Sequence, residues 1–211
     1  MGIHVVGLTG GIASGKSTVG KLLAREDDIV VVDADRIAWE TYNPGTEVYN
    51  ALTERFGEQI LNADKTINRK ALGKIVFNDE DERQFLNGLV HPAIYVRLTE
   101  LLDEAVEQGA GIFVVEAALL LEKGSQGGQF FQSYIMVLVD QDVQIDRVCE
   151  RDGISRQEAE LKISKQMSQE EKAKLADYVI DNSGDLSELE QQVMKIISEL
   201  RGLSEYSDAP A

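Results

Sequence analysis

One short run near the start of the chain, Gly10-Gly11-Ile12-Ala13-Ser14-Gly15-Lys16-Ser17, constrains the fold more than any other feature. It fits the pattern G-x-x-x-x-G-K-S/T. The glycines let the backbone curl so that successive N–H groups face one phosphate, and a helix beginning at the lysine adds its positive end. Lys16 is placed to reach the outer phosphates of a nucleotide, and Ser17 to offer a hydroxyl to Mg²⁺. Context separates such a loop from a glycine-rich turn with a stray lysine. Residues 3–9 read as a buried strand, and Lys16 to about Arg25 as a helix with Val19, Leu22 and Leu23 on one face. Strand, loop and helix in that order are what the phosphate loop requires, and Gly11, Ile12, Ala13, Ser14, Gly15, Lys16, Ser17 and Thr18 become the candidate ATP-binding residues.

The same alternation continues downstream. Ile29–Asp33, Ile112–Glu116, Tyr134–Asp140 and Tyr178–Asp181 read as further buried strands. Residues 44–108 are mostly helical, with Pro92 starting a new helix, and three short helical stretches fill 141 to about 176. Two of these open with capping boxes, Ser155 with Glu158 and Ser168 with Glu171. Gly124–Gly128 reads as a loop, Leu186 to Leu200 as an amphipathic helix, and 203–211 as a tail. Apolar strands alternating with helices predict a parallel sheet covered on both faces, with ligands beyond the C-terminal strand ends.

Composition narrows the function. No apolar run approaches the roughly 20 residues that cross a bilayer, so no membrane partner is expected. The lone cysteine, Cys149, allows no intrachain disulfide and suggests a cytoplasmic protein. A net charge of −16 repels nucleic acid at long range. Small phosphorylated ligands are not excluded, because charges beyond about 8 Å are screened at physiological salt and a few local cations suffice. The element N/T-K-x-D that reads guanine is absent.

Acids follow two of the strands. Asp33 and Asp35 suit a phosphotransferase, one organising Mg²⁺ and the other orienting or deprotonating an acceptor hydroxyl. They also suit a strand-end Asp followed by a helix N-cap. Glu116 reads either as the Mg²⁺-side acid of a P-loop enzyme or as a solvated strand end. Between 147 and 174 lie Arg147, Arg151, Arg156, Lys162, Lys165, Lys172 and Lys174, nearly balanced by acids. This segment reads as a lid that brings arginine onto a phosphoryl group, or as a solvated hairpin of i,i+4 pairs.

These residues together resemble the dephospho-coenzyme A kinase family. The resemblance runs from about Val5 to Val193. It rests on Gly7 to Ile12 with Lys16-Ser17, Asp33-Ala34-Asp35, Pro44-Gly45, Asn68-Arg69, His91-Pro92, Leu119-Leu120, Gln144 to Arg147, Gln166 and Asp181 to Gly184. It implies a three-layer α/β P-loop kinase core with a five-stranded parallel sheet, a helical substrate-binding subdomain (44–108) and a lid (142–175), within one kinase domain (1–203) followed by a short tail. It also implies ATP and Mg²⁺, with dephospho-coenzyme A as acceptor, in a monomer or small homo-oligomer. Asp35 would be the general base, with Lys16 and Arg147 the other catalytic groups. Ser17 and Asp33 would hold the metal. Thr9, Asp33, Arg69, His91, Glu116 and Leu120 would line the acceptor site. Arg151, Asn182, Ser183 and Gly184 would lie by ATP. The family usually has Arg where this chain has Trp39, often has Arg at Lys162, and commonly has a different run at Ala117–Glu122. A kinase for another hydroxylated metabolite, and a nucleotide-dependent regulatory protein, are the alternatives. His91 is read as a helix-start residue packed between subdomains, and Trp39 as either a wall of the acceptor site or core.

Overall fold

The computed structural model describes residues 2–118, 120, 121 and 130–206. The chain divides into two compact units, one made of Met1–Asp33 with Glu104–Ala211, the other of Ala34–Asp103.

The first unit is built on strands β1 (His4–Gly10), β2 (Ile29–Asp33), β3 (Ile112–Glu116), β4 (Ser133–Leu138) and β5 (Tyr178–Asp181). They form one parallel sheet in the order β2-β3-β1-β4-β5. The β-branched strand residues explain this, since a sheet covered on both faces needs apolar side chains in both directions. Val6, Leu8, Ile112, Val114, Ile135 and Val137 line one face. They pack against Val19, Leu22 and Leu23 of α1 (Lys16–Leu23) and Leu189, Val193 and Ile197 of α9 (Leu186–Tyr206). On the other face Val5, Phe113, Val115 and Met136 are buried too. Helices α6 (Gln141–Asp152), α7 (Arg156–Ile163) and α8 (Gln169–Ala173) join β4 to β5. Both predicted capping boxes form, at Ser155 and Ser168. The chain leaves β1 to one side for β2 and β3 and returns to its other side as β4. The C-terminal end of β1 is therefore the switch point where α/β sheets bind ligands, and Gly10–Ser17 begins there.

The second unit holds α2 (Ala34–Glu40), α3 (Glu47–Phe56), a 3₁₀ turn (Gly57–Ile60), α4 (Arg69–Asn78) and most of α5 (Glu80–Glu107). Its core is Val48, Leu52, Phe56, Ile60, Ile67, Leu72 and Val90. Thr46 and Asn68 cap α3 and α4 by accepting the N–H groups of Tyr49 and Ala71.

Two expectations fail. Pro92 does not start a helix but lies inside α5, which runs unbroken through it. The ring removes only the donor to Gly88, and Val90, Ala93 and Ile94 on either side are held in the apolar core. The C-terminal helix continues to Tyr206, into the residues read as tail. The glycine loop 124–128 and Glu122 lie outside the described residues.

Candidate active site

The loop after β1 is held open from outside. Gly15 sits at φ +90°, and a Cβ there would come within 1.9 Å of Asn182 Nδ2. Only glycine serves at that position. Asn182, just after β5, is buried and donates Nδ2 to the Ser14 carbonyl at 2.8 Å. Ala13 also occupies the left-handed region, φ 57°, at a cost of roughly 1–2 kcal/mol that the surrounding bonds must offset. Those bonds come from glutamines. Gln166 Oε1 accepts the Ile12 N–H at 2.9 Å, and Gln144 Nε2 donates to the Ile12 carbonyl at 2.7 Å. Gln169 locks Gln144 in turn while bonding both the N–H and carbonyl of Val139.

Lys16 Nζ reaches Glu116 Oε1 at 2.6 Å, and Ser17 Oγ donates to the same oxygen at 2.5 Å. Glu116 is only 7% exposed, so the reading of a solvated strand end is excluded. Asp33 lies directly across from it in the β2–β3 register. The close approach of α1 is permitted by Gly20, where a Cβ would stand 2.7 Å from Glu116 Oε2. Two buried polar atoms near the loop, Ser14 Oγ and Arg147 Nη1, have no hydrogen-bond partner among the described residues. Arg147 Nη2 donates to the Asn182 carbonyl at 3.2 Å. Its other nitrogen lies 3.8 Å from where a Gly15 side chain would begin. A buried guanidinium nitrogen left unbonded beside a ring of loop amides suits an incoming anion, since burying such a group unpaired is costly.

The remaining predicted residues scatter. Thr9 is fully buried and donates to the Ala118 carbonyl at 3.3 Å. Leu120 packs over Gly7. The side chain of Ser183 accepts the Asp140 N–H and donates to Asp181, and Gly184 makes room for Glu188. Asn182 and Ser183 thus brace the loop and the strand end. Arg151 forms a two-bonded pair with Asp152, which Lys162 shares, and both cations hold that carboxyl far below its ordinary range. Arg156 pairs with Asp142 and Glu160. All three are solvated and paired, but only Arg156 with Glu160 has the expected i,i+4 spacing. Lys172, by contrast, is fully buried, its ammonium 3.5 Å from the Ala118 carbonyl.

In the second unit Asp35 lies within the first turn of α2 rather than before it, which removes the N-cap reading. Trp39, one turn further, is 52% exposed and not part of the core. The Arg69 guanidinium stands 4.4 Å from its ring centroid. His91 is exposed in the middle of α5, so it is not the packed helix-start residue expected, because the helix runs on through Pro92. The glutamines Gln144, Gln166 and Gln169 escaped the sequence reading as loop supports. Neutral amides carry no pattern that marks a long-range contact.

A glycine loop at the switch point of a parallel sheet, its lysine meeting a buried strand-end acid, defines a P-loop nucleotide-binding protein. The family model for dephospho-CoA kinase matches residues 4–188. A dephospho-CoA kinase of Geobacter sulfurreducens is 44% identical over 194 residues, covering 92% of this chain and 97% of that protein. A crystal structure from Thermus thermophilus superposes with a TM-score of 0.78 at 31% identity, covering 95% of this chain and 99% of that one. The dephospho-CoA kinase of Campylobacter jejuni gives 0.68 at 26% identity, covering 94% and 97%. The chain belongs to the dephospho-CoA kinase family.

Proposed function

We propose that this protein transfers the γ-phosphate of ATP to the ribose 3′-hydroxyl of dephospho-CoA, giving CoA and ADP. The observation that carries the reading is the convergence of Lys16 and Ser17 on the buried Glu116 at the mouth of the loop. The loop amides and Lys16 hold the outer phosphates, with Lys16 turning from Glu116 to the anion as it enters. Arg147 supplies its unbonded nitrogen to the phosphate oxygens as charge moves onto them. Asp35 takes the proton of the hydroxyl as that oxygen attacks phosphorus, while the bond from phosphorus to the bridging oxygen of ADP breaks on the far side.

The donors at Ser17, Glu116 and Asp33 are hard oxygens of the kind Mg²⁺ prefers. Among the described residues no three His, Cys, Asp or Glu side chains gather into a cage, which fits an ion that takes part of its shell from phosphate and water. Bound there, Mg²⁺ would neutralise charge on the phosphates. Cys149, the only cysteine, supports a reducing, cytosolic setting.

Incubation with ATP, Mg²⁺ and dephospho-CoA should yield a product heavier by one phosphoryl group, read by mass spectrometry. ATP hydrolysis that no acceptor stimulates would overturn the assignment.

A further inference from the structure

Lys172 is fully buried, which is rare for a lysine, and phosphoryl transfer as derived above gives it no task. It lies on α8, a helix of five residues, too short to persist by itself. Side chains three residues apart hold that segment in place. Gln166, just ahead of the helix, accepts the Ile12 N–H on the loop that leaves β1. Gln169 bonds both backbone groups of Val139, the residue that follows β4. Lys172 reaches the carbonyl of Ala118, just past the end of β3.

In the sheet β1 lies between β3 and β4. Neighbouring strands are about 4.8 Å apart, so β3 and β4 stand roughly 10 Å from each other. Residues three apart on a helix share a face, and two long side chains from one such face can cover that span. Helix α8 therefore crosses the exit of β1 and grips the strand on each side of it. Its Gln169 end also steadies the phosphate loop, because Gln169 holds Gln144 and Gln144 Nε2 donates to the Ile12 carbonyl.

We propose that α8 is a crossbar that fixes Glu116 relative to the phosphate loop, and that Lys172 is a positioning residue acting on Glu116 through the backbone just after β3. The task of Glu116 is the one assigned above, so the inference rests on that reading. The path is short. The Ala117 N–H bonds the Leu8 carbonyl at 3.0 Å, and Thr9 donates to the same Ala118 carbonyl that Lys172 reaches. Those contacts clamp the exit of β3 onto β1, from which the loop springs. Glu116, one residue before Ala117, takes Lys16 and Ser17 through a single oxygen. A carboxylate that serves two loop residues with one atom tolerates little sliding of its strand. Each end of the crossbar thus finishes on the nucleotide site, Gln169 on the loop and Lys172 on the acid that faces it.

Lys172→Met keeps the buried volume and removes the ammonium. Exchanging a buried charge for an apolar side chain of similar size often leaves stability unchanged or raised, so the melting temperature should hold. Turnover should not: kcat/KM for ATP should fall roughly three- to tenfold, and Lys172→Arg should recover most of it. In nucleotide-free protein, hydrogen exchange at the Ala117 N–H, followed by NMR, should quicken about fivefold while the amides of β5 stay as they were. Gln169→Leu should quicken the same amide, although Gln169 bonds nothing on β3 among the described residues. In a chain carrying Glu116→Ala, Lys172→Met should cost no further activity, because the group it places is gone. Unchanged Ala117 exchange in both variants overturns the proposal. So does a Lys172→Met penalty of equal size with and without Glu116, or one matched by an equal loss of stability. Failure to phosphorylate dephospho-CoA would fall on the kinase assignment alone, and exchange at Ala117 would still decide the crossbar.

Discussion

Replacing Gly20 by alanine tests how Glu116 is held. Gly20 lies in α1, where alanine raises helix stability by about 1 kcal/mol. The new methyl would stand 2.7 Å from Glu116 Oε2 and 3.6 Å from Leu8 Cδ2. The leucine contact is ordinary, so the carboxylate must retreat by several tenths of an ångström. Its other oxygen carries the bonds from Lys16 and Ser17, each a charge-assisted contact worth about 1.5–3 kcal/mol. Weakening both cancels the helix gain, and the melting temperature should move little. Activity should not escape. A displacement near 1 Å costs on the order of 10²-fold, so a smaller shift should lower kcat/KM for ATP by roughly tenfold. Glu116→Asp withdraws the carboxylate and relieves the clash, so Gly20→Ala should cost far less in that background than in the native chain. Steady-state kinetics of the four proteins in the cycle measure this coupling. Equal Gly20→Ala penalties with and without Glu116→Asp would refute the argument that this glycine exists for the carboxylate.

Asp35→Asn should lower kcat by about 10²–10⁴-fold with ATP affinity nearly intact, checked by single-turnover kinetics and nucleotide titration. Asn182→Ala removes the bond to the Ser14 carbonyl and should raise the KM for ATP while costing about 1–3 kcal/mol in chemical denaturation. His4 is buried against Ser133, and desolvation lowers its pKa below the ordinary 6.5. The unfolded chain therefore binds the extra proton first. Stability should be full above about pH 6.5 and decline as the pH falls toward the folded value, and His4→Gln should remove that part of the slope in pH-dependent melts.

Strand residues dense in valine and isoleucine announced the sheet, because nothing else accounts for runs such as Ile29–Val32 and Ile112–Val115. The loop was equally plain, since its glycines and lysine are fixed by phosphate geometry. Pro92 misled because its cost depends on tertiary support from Val90, Ala93 and Ile94, which no local rule contains. Glu116 was half visible: its place at a strand end could be read, but its burial and two donors depend on α1 lying across it. The roles of Asn182, Gln144 and Gln166 were hidden, since each bonds the loop across more than a hundred residues of chain, and Gln169 acts through Gln144. Trp39 was ambiguous because an indole suits core and surface alike, and only the placement of Arg69 decides which.

The clasp between Asn182 and Ser14 has a consequence for biosynthesis. The phosphate loop leaves a ribosome well before the groups that shape it. Strand β1 cannot acquire both neighbours until residues 112–138 have emerged, and Ser14 gains its brace only once β5 is complete. Such pairings between distant segments form slowly. Nascent chains halted before residue 182 should therefore carry the full glycine motif yet fail to retain ATP. Affinity for nucleotide then serves as a marker that β5 and Asn182 have been made rather than of an early folded fragment.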